Sequence, residues 1–361
     1  MLNNLRQKID QTLVSFLDTV EKEYNFHRVN PLLYTSIREF SLREGKRIRP
    51  LLFLLAYKGY APQGKKITAA LYRTATAIEF LHNFMLIHDD IIDRSDLRRG
   101  RPTMHRLLEK TIPAADPYRL GTDLAIIAGD IVHAMAIDAF LAVSEDPARK
   151  ERALSYFVHT SAFTAMGEFV DTLHGVDQLK HVAEDDVFLN YSLKTARYTF
   201  QCPLVTGAIL AGASRHETQR LAEFGLLIGQ AFQIQDDIIG IFETEQAIGK
   251  SILSDLAEQK KTLLMVHADR TLRGKAHQHF TQLFLKPAPN LADLDAIRKI
   301  LVDAGTLVYA LDAMRTHATQ ANTILKSLKL TPRYRTLIHT ALFNLFRHAE
   351  TVAKKWQSPG S

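Results

Sequence analysis

One stretch constrains this chain more than any other. From Lys65 to Arg99 there is neither glycine nor proline, and the stretch closes on Asp89, Asp90 and Asp93 before Arg98, Arg99, Gly100, Arg101 and Pro102. Without a breaker the segment permits a helix of more than about six turns that ends near the acidic cluster. On such a helix Asp89 and Asp93 lie one turn apart on the same face, with Asp90 beside them. Crowded carboxylates repel, and burying them without a counter-charge costs several kcal/mol or raises their pKa values. A bound cation relieves both problems. Oxygen donors with no cysteine or paired histidine nearby select a hard ion such as magnesium. The bland alternative is a solvated acidic helix end. The apolar run Phe84-Met85-Leu86-Ile87 before the aspartates and the arginines after them argue against it.

The rest of the chain follows the same periodicity. Apolar residues recur at three and four spacings and alternating β-branched runs are nearly absent, so the expected class is all-α. Further helical segments are expected around Asp123–Val143, Glu151–Leu173, Asp185–Leu210, Glu217–Phe242 and Leu294–Leu325, punctuated by Pro147, Gly175, Gly212 and Gly249. No low-complexity linker separates them. One domain over residues 1–356, with a short disordered tail at 357–361, is the expectation. A hydrophobic content of 46% is ample for its core.

Composition narrows function mostly by exclusion. Lys plus Arg exceed Asp plus Glu by 45 against 39, or +6, an excess too diffuse for nucleic acid, which calls for a concentrated basic stripe. No uninterrupted apolar run approaches the roughly 18 residues of a membrane span, and Met1 to Asp18 lacks the apolar core of a signal peptide. Cys202 is the only cysteine, so no intramolecular disulfide can form and a reducing cytoplasm is the simplest location. A catalytic thiol has little support, because Cys202 sits in an apolar stretch before Pro203.

An internal echo carries the functional argument. Ile87-His88-Asp89-Asp90-Ile91-Ile92 recurs as Ile234-Gln235-Asp236-Asp237-Ile238-Ile239. Two helices that faced each other would bring their carboxylates together over a central cavity, as bundle folds do for polynuclear metal sites. Each acidic pair is followed by a basic loop: Arg98, Arg99 and Arg101 after the first, Lys250, Lys260 and Lys261 after the second. Such a mixture suits a magnesium-chelated diphosphate, with arginine forks on phosphate oxygens and lysines adding point charge. A third cluster, Arg43, Gly45, Lys46, Arg47 and Arg49, offers a second phosphate site or a solvated helix entrance. His82, two turns before Asp89 on the same stripe, is a candidate donor to an anion.

These residues resemble the trans-isoprenyl diphosphate (polyprenyl) synthases, typified by farnesyl and geranylgeranyl diphosphate synthases. The resemblance runs from about Glu44 to Thr262 and rests on GKRIRP at Gly45–Pro50, HDDIIDRSDLRRGRPT at His88–Thr103, AGD at Ala128–Asp130, KTA at Lys194–Ala196, FQIQDD at Phe232–Asp237 and DLAEQKKT ending at Thr262. It implies an isoprenoid synthase type I fold, a helical bundle around a deep central cavity, in a homodimer with three magnesium ions per active site. By motif, Asp89, Asp90, Asp93 and Asp236 would hold magnesium, with Asp237 in its outer shell. Arg98, Lys194 and Lys260 would bind the allylic diphosphate, and Lys46, Arg47, His82 and Arg99 isopentenyl diphosphate, with Gly45 and Lys250 at the two substrate loops. Thr195 and Gln233 would line the reaction centre. The implied reaction is ionisation of the allylic diphosphate, attack by the isopentenyl double bond and loss of a proton.

Departures from the family pattern are Gly240 in place of the third acidic residue of the second motif, Glu168 where Gln is expected before Asp171, and Gln259 where Gly is usual. Chain length in the family depends on bulk four and five positions before the first aspartate, here Met85 and Phe84. One aromatic there resembles geranylgeranyl synthases, with farnesyl or longer products as alternatives. A non-catalytic regulatory subunit and a terpene cyclase are the rivals. The complete basic loops weigh against the first, and the Lys46, Arg47, His82 and Arg99 group against the second.

Overall fold

The computed structural model describes residues 1–245 and 252–357. In chain order the α-helices of seven or more residues are α1 Leu2–Glu23, α2 Pro31–Ser41, α3 Ile48–Tyr60, α4 Ala69–Ile92, α5 Met104–Thr111, α6 Pro117–Leu141, α7 Pro147–Val176 and α8 Glu184–Asn190. A π-helical stretch, Tyr191–Gln201, leads into α9 Cys202–Ala211 and α10 Arg215–Phe242. After these come α11 Leu263–Thr271, α12 Gly274–Phe284, α13 Leu291–Asp303, α14 Thr306–Ser327, α15 Pro332–Phe343 and α16 Arg347–Gln357. The all-α expectation holds. Among the described residues the extended structure is confined to two-residue strands, Leu97–Arg98 and Arg101–Pro102. Leu294–Leu325, read from the sequence as one helix, is two, because Gly305 turns left-handed at φ 70° between α13 and α14.

The chain divides into two compact units whose segments interleave: Met1–His159 with Cys202–Gln219 and Lys329–Ile338, and Thr160–Gln201 with Arg220–Leu328 and His339–Ser361. In the first unit α4 is the central helix. Ten consecutive residues, Thr74 to Asn83, are buried, including the polar Thr74, Thr76, Glu79, His82 and Asn83, which therefore need partners inside the fold. Thr68 caps its N-terminus by accepting from Leu71 N at 3.2 Å. Two more helices, the largely buried α3 and the fully buried α9, cross at Gly207, where a Cβ would lie 2.4 Å from the Phe53 carbonyl oxygen. By length and composition α6 could cross a membrane. Instead its buried stripe, Gly121, Ala125, Ala128, Val132, Met135 and Ala139, packs it against α4 and α5 as a core helix.

In the second unit the π-helical stretch is the element others fit around. A widened turn of this kind often marks a functional site, and it carries Lys194 and Thr195. Its neighbours approach closely only because they present glycine: a Cβ on Gly167 would lie 2.5 Å from Lys194 N, and one on Gly225 2.7 Å from Gln201 Cα. The C-terminal helices finish the unit at the far end of α10. Arg298 on α13 donates to the Ile241 and Glu243 carbonyls at 2.6 and 2.9 Å, and Trp356 on α16 donates to the Phe242 carbonyl at 3.0 Å. Those carbonyls have no intrahelical partner, so the guanidinium and the indole supply what the helix end lacks.

Gly229 makes the tightest approach to the π-helical stretch, with a Cβ placed 2.2 Å from Ala196 Cβ and 2.3 Å from its Cα. Gly229→Ala is expected to lower stability by about 1–3 kcal/mol, as overpacking does. Gly175→Ala, where a Cβ meets nothing within 4 Å, is the matched control and leaves stability unchanged or slightly raised. Urea midpoints of the two variants check this.

Candidate active site

In the first unit the site begins where α4 ends. Asp89 and Asp93 are half-buried and bring carboxylate oxygens within 4.8 Å of each other. Asp90 is fully buried and shares the Arg98 guanidinium with Asp89: its Oδ1 accepts from Arg98 Nε at 2.8 Å and from Nη2, and Nη2 also donates to Asp89 Oδ2 at 2.9 Å. Arg98 reaches back because the loop after the helix is a tight hairpin. Leu97 pairs with Pro102 and Arg98 with Arg101, and the turn residues Arg99 and Gly100 both adopt left-handed φ, 55° and 72°. Burial pushes the Asp90 carboxyl up to about 6 despite the adjacent guanidinium. Its Oδ2 is buried without a hydrogen-bond partner. The half-buried Asp89 and Asp93, with carboxylate oxygens within 4.8 Å of each other, are the hard oxygen donors that fit a divalent cation such as magnesium.

Below the aspartates the Phe84 ring stacks on His133 of α6 at 4.6 Å and meets the edge of His88 at 4.7 Å. His88 is held in turn: Nδ1 donates to the Phe84 carbonyl at 3.1 Å and Nε2 lies 3.5 Å from Asp130 Oδ1. Gly129 gives the imidazole its space, since a Cβ there would sit 2.3 Å from His88 Cε1. The Ala128-Gly129-Asp130 motif is thereby accounted for. Met85 is half-buried on the same helix. His133 gave no signal in the sequence, because its role depends on α6 crossing α4.

The basic cluster before α3 divides in two. Arg47, at left-handed φ 49°, turns inward: it donates to Asp10 at 2.8 Å, to Glu79 at 2.6 Å and to the Arg43 carbonyl at 2.8 Å, and is only 5% exposed. The structure thus brings Arg47 to an internal ion-pair network and not to an open surface. Lys46 is exposed. Arg99 donates to the Glu44 carbonyl at 3.0 Å and lies against Gly45, where a Cβ would be 3.1 Å from its Nη1. His82 is buried, and burial together with the positive charges of Arg49, Arg99, Arg98 and Arg47 holds its pKa well below the ordinary value. It is therefore neutral at pH 7. Arg49, which the sequence placed in the same basic cluster but not among the isopentenyl diphosphate ligands, is the arginine with the largest electrostatic effect on it.

In the second unit the outer and inner aspartates again differ. Asp236 is exposed and Asp237 buried. Asp237 Oδ1 accepts from Gln233 Nε2 at 3.0 Å, and Oδ2 accepts from the Tyr191 hydroxyl. Gln233 Oε1 accepts from Thr195 Oγ1 at 2.7 Å. Burial and the Asp237 carboxylate push the Tyr191 phenol far up, so it keeps its proton. Lys194 Nζ lies 2.6 Å from Asp171 Oδ2 and 3.0 Å from Glu168 Oε2, so both residues of the divergent motif meet the lysine. A cleft of about 80 Å³ is lined by Asp171, Lys194, Thr195, Gln233, Asp237 and Lys260, among others. Lys260 pairs with Glu258 at 2.9 Å, whereas Lys261 is buried and donates to the Gly175 carbonyl. Lys250 lies outside the described residues. Tyr191 and Glu168 are the additions that tertiary structure makes to the sequence-based set here.

Comparison with known proteins now decides the family. Residues 30–301 match the family model described as polyprenyl synthetase. The chain belongs to the polyprenyl synthetase family. The geranylgeranyl diphosphate synthase of Saccharolobus solfataricus is 33% identical over 268 residues, 74% of this chain and 71% of the relative. The octaprenyl diphosphate synthase of Haemophilus influenzae is 30% identical over 305 residues, 84% and 85% of the two chains. The crystal structure of geranylgeranyl pyrophosphate synthase from Corynebacterium glutamicum, complexed with isoprenyl diphosphate and magnesium, superposes with a TM-score of 0.86 over 96% of this chain and 99% of that one. At 24% identity that likeness speaks for the fold. As a polyprenyl synthetase the protein is a prenyltransferase of isoprenoid biosynthesis, a trans-prenyl diphosphate synthase. Its family works on isopentenyl and allylic diphosphates and depends on magnesium.

The environment of His82 sets a pH dependence. As pH falls below about 6.5 the unfolded chain takes up a proton at residue 82 that the folded protein resists. The unfolded state then binds more protons, so folded stability falls with pH at up to about 1.4 kcal/mol per unit from this group. His82→Gln is expected to show a smaller loss than the wild type in urea midpoints measured at pH 7.5 and 5.5.

Proposed function

We propose that the protein condenses isopentenyl diphosphate head-to-tail with an allylic diphosphate and stops at the twenty-carbon geranylgeranyl diphosphate. The observation that carries the product assignment is the Phe84 ring held between the imidazoles of His88 and His133. It lies five residues before Asp89, about 7.5 Å down the helix axis at the ordinary rise per residue. A prenyl chain whose diphosphate end is held near the aspartates and that grows along α4 meets this ring as a floor. The Saccharolobus solfataricus relative named for the same product supports the reading.

On this reading three magnesium ions bind; the carboxylates available to them are Asp89 and Asp93 in the first unit, and Asp236 is the corresponding accessible aspartate of the second. When bound, the ions offset charge building on the departing diphosphate. The chain's own residues supply the rest. Lys194 and Lys260 place ammonium groups where the allylic diphosphate leaves. Thr195 and Gln233, joined by their own hydrogen bond, line the reaction centre on this reading. Lys46, His82, Arg49 and Arg99 bind isopentenyl diphosphate, with His82 contributing a neutral hydrogen-bond donor. Arg47 fixes the loop that carries Lys46. The isopentenyl double bond attacks the allylic carbon, and the proton lost from the adduct leaves with the diphosphate. Phe80, Leu81, Phe84, Met85 and Leu86 keep water away from the cation.

A homodimer fits the apolar side chains exposed on two helices: Ile126 and Ile127 on α6, and Met166, Phe169 and Leu173 on α7. Cys202, the sequence's only cysteine, is buried, and the reading places the protein in a reducing cytoplasm.

The deciding experiment incubates purified protein with magnesium, labelled isopentenyl diphosphate and each allylic starter, then chromatographs the dephosphorylated products. Chain elongation is expected, ending at twenty carbons. Absence of elongation would sink the synthase reading in favour of a non-catalytic subunit, and diphosphate release without isopentenyl consumption would favour a cyclase. Phe84→Ala is expected to shift the main product to longer chains; an unchanged product would refute the floor.

A further inference from the structure

We propose that Tyr191 is a positioning residue for prenyl transfer, its phenolic oxygen locking the second acidic motif to the basic segment that precedes α11. The argument starts from hydrogen-bond polarity. A backbone N–H can only donate, so the bond from Leu263 N to the Tyr191 oxygen, 2.9 Å, leaves that oxygen as acceptor and its own hydrogen available. The hydrogen goes to Asp237 Oδ2. Asp237 Oδ1 accepts from Gln233 Nε2 at 3.0 Å, which fixes the amide with its oxygen toward Thr195, whose hydroxyl donates at 2.7 Å. One backbone donor thus dictates the orientation of each polar group along the chain as far as the reaction centre. Without the phenol, Asp237 Oδ2 loses this donor, and the carboxylate that anchors the Gln233 amide is no longer held in place.

The other end of the link matters equally. Leu263 is the first residue of α11, whose N-terminal N–H groups have no intrahelical acceptor. Thr262 caps it by accepting from Met265 N at 3.4 Å, and Lys260 and Lys261 come immediately before. The Tyr191 oxygen therefore holds the end of the segment that carries Lys260, and Lys260 lines the same cleft as Lys194 and Asp237. The ring itself is seated by an edge-on contact with Phe188, 6.0 Å between centroids, which a phenylalanine would keep. Removing the hydroxyl alone separates alignment from packing.

The inference rests on the synthase reading for its kinetic arm, so the test carries a second arm that does not. In steady state, Tyr191→Phe is expected to lower kcat at least tenfold and raise KM for the allylic diphosphate several-fold, with KM for isopentenyl diphosphate unchanged. A merely structural loss would reduce the active fraction and leave both KM values alone. In a Thr195→Val background the kcat effect of Tyr191→Phe is expected to shrink to within about twofold, because the phenol acts through the residues leading to Thr195. The second arm is calorimetric binding of inorganic diphosphate with magnesium at 10 °C, which requires neither turnover nor thermal robustness. Several-fold weaker binding by Tyr191→Phe than by wild type is expected. Equal binding and kinetic constants within twofold would overturn the proposal. Losses of the same factor in both Thr195 backgrounds would also overturn it. A wild type that binds diphosphate but does not elongate would instead discredit the synthase reading.

Discussion

A carboxylate taken out of water has to be met by a donor, and the inner aspartates of the two acidic motifs show two ways of doing it. Asp90 takes a guanidinium from the hairpin that follows its own helix. Asp237 takes two neutral donors, Tyr191 and Gln233, from within the second unit. In each motif the neighbouring aspartates stay at least partly accessible, Asp89 and Asp93 half-buried and Asp236 exposed. Desolvating a single unpaired carboxylate would cost several kcal/mol. The loops that deliver these donors are therefore as much a part of the site as the aspartates they steady. The sequence echo is an echo of roles: an outer ligand position next to an inner anchor.

The same logic sorts the cations. Arginine is charged at any working pH and can only donate, so a buried one must find acceptors. Arg47 finds Asp10, Glu79 and a carbonyl, and its left-handed backbone makes that inward turn possible. Lys46 beside it stays exposed. Lys260 and Lys261, adjacent in sequence, divide the same way: one lines the cleft, the other is buried on the Gly175 carbonyl. Neighbouring positive residues are thus not equivalent ligands. The difference lies in which acceptors the fold has placed nearby.

Much of the fold was legible because helical periodicity is a local property. Where the reading failed, the cause was also local but unsignalled. Gly305 splits what looked like one helix at Leu294–Leu325, since a glycine inside an apolar period can be either tolerated or a left-handed break. The π-helical stretch around Lys194 left no periodic trace either; it is stabilised by the close approach of Gly167, Gly225 and Gly229 from other helices. Of the site, the acidic motifs and their basic loops were legible as clusters. His133, Tyr191, Glu168 and the part played by Arg49 were not, because each acts through a partner far away in sequence.

The sequence by itself determined that the chain is helical, that two helices carry paired aspartates with cations after each, and which family the ordered motifs resemble. Those are matters of spacing, and spacing survives without coordinates. Only the tertiary structure decided which aspartate of each pair is buried, which arginine is committed to an ion pair, and that His88 and His133 grip Phe84. The reason is physical: burial and hydrogen-bond partnership are set by neighbours brought from distant parts of the chain, and a one-dimensional pattern does not specify them.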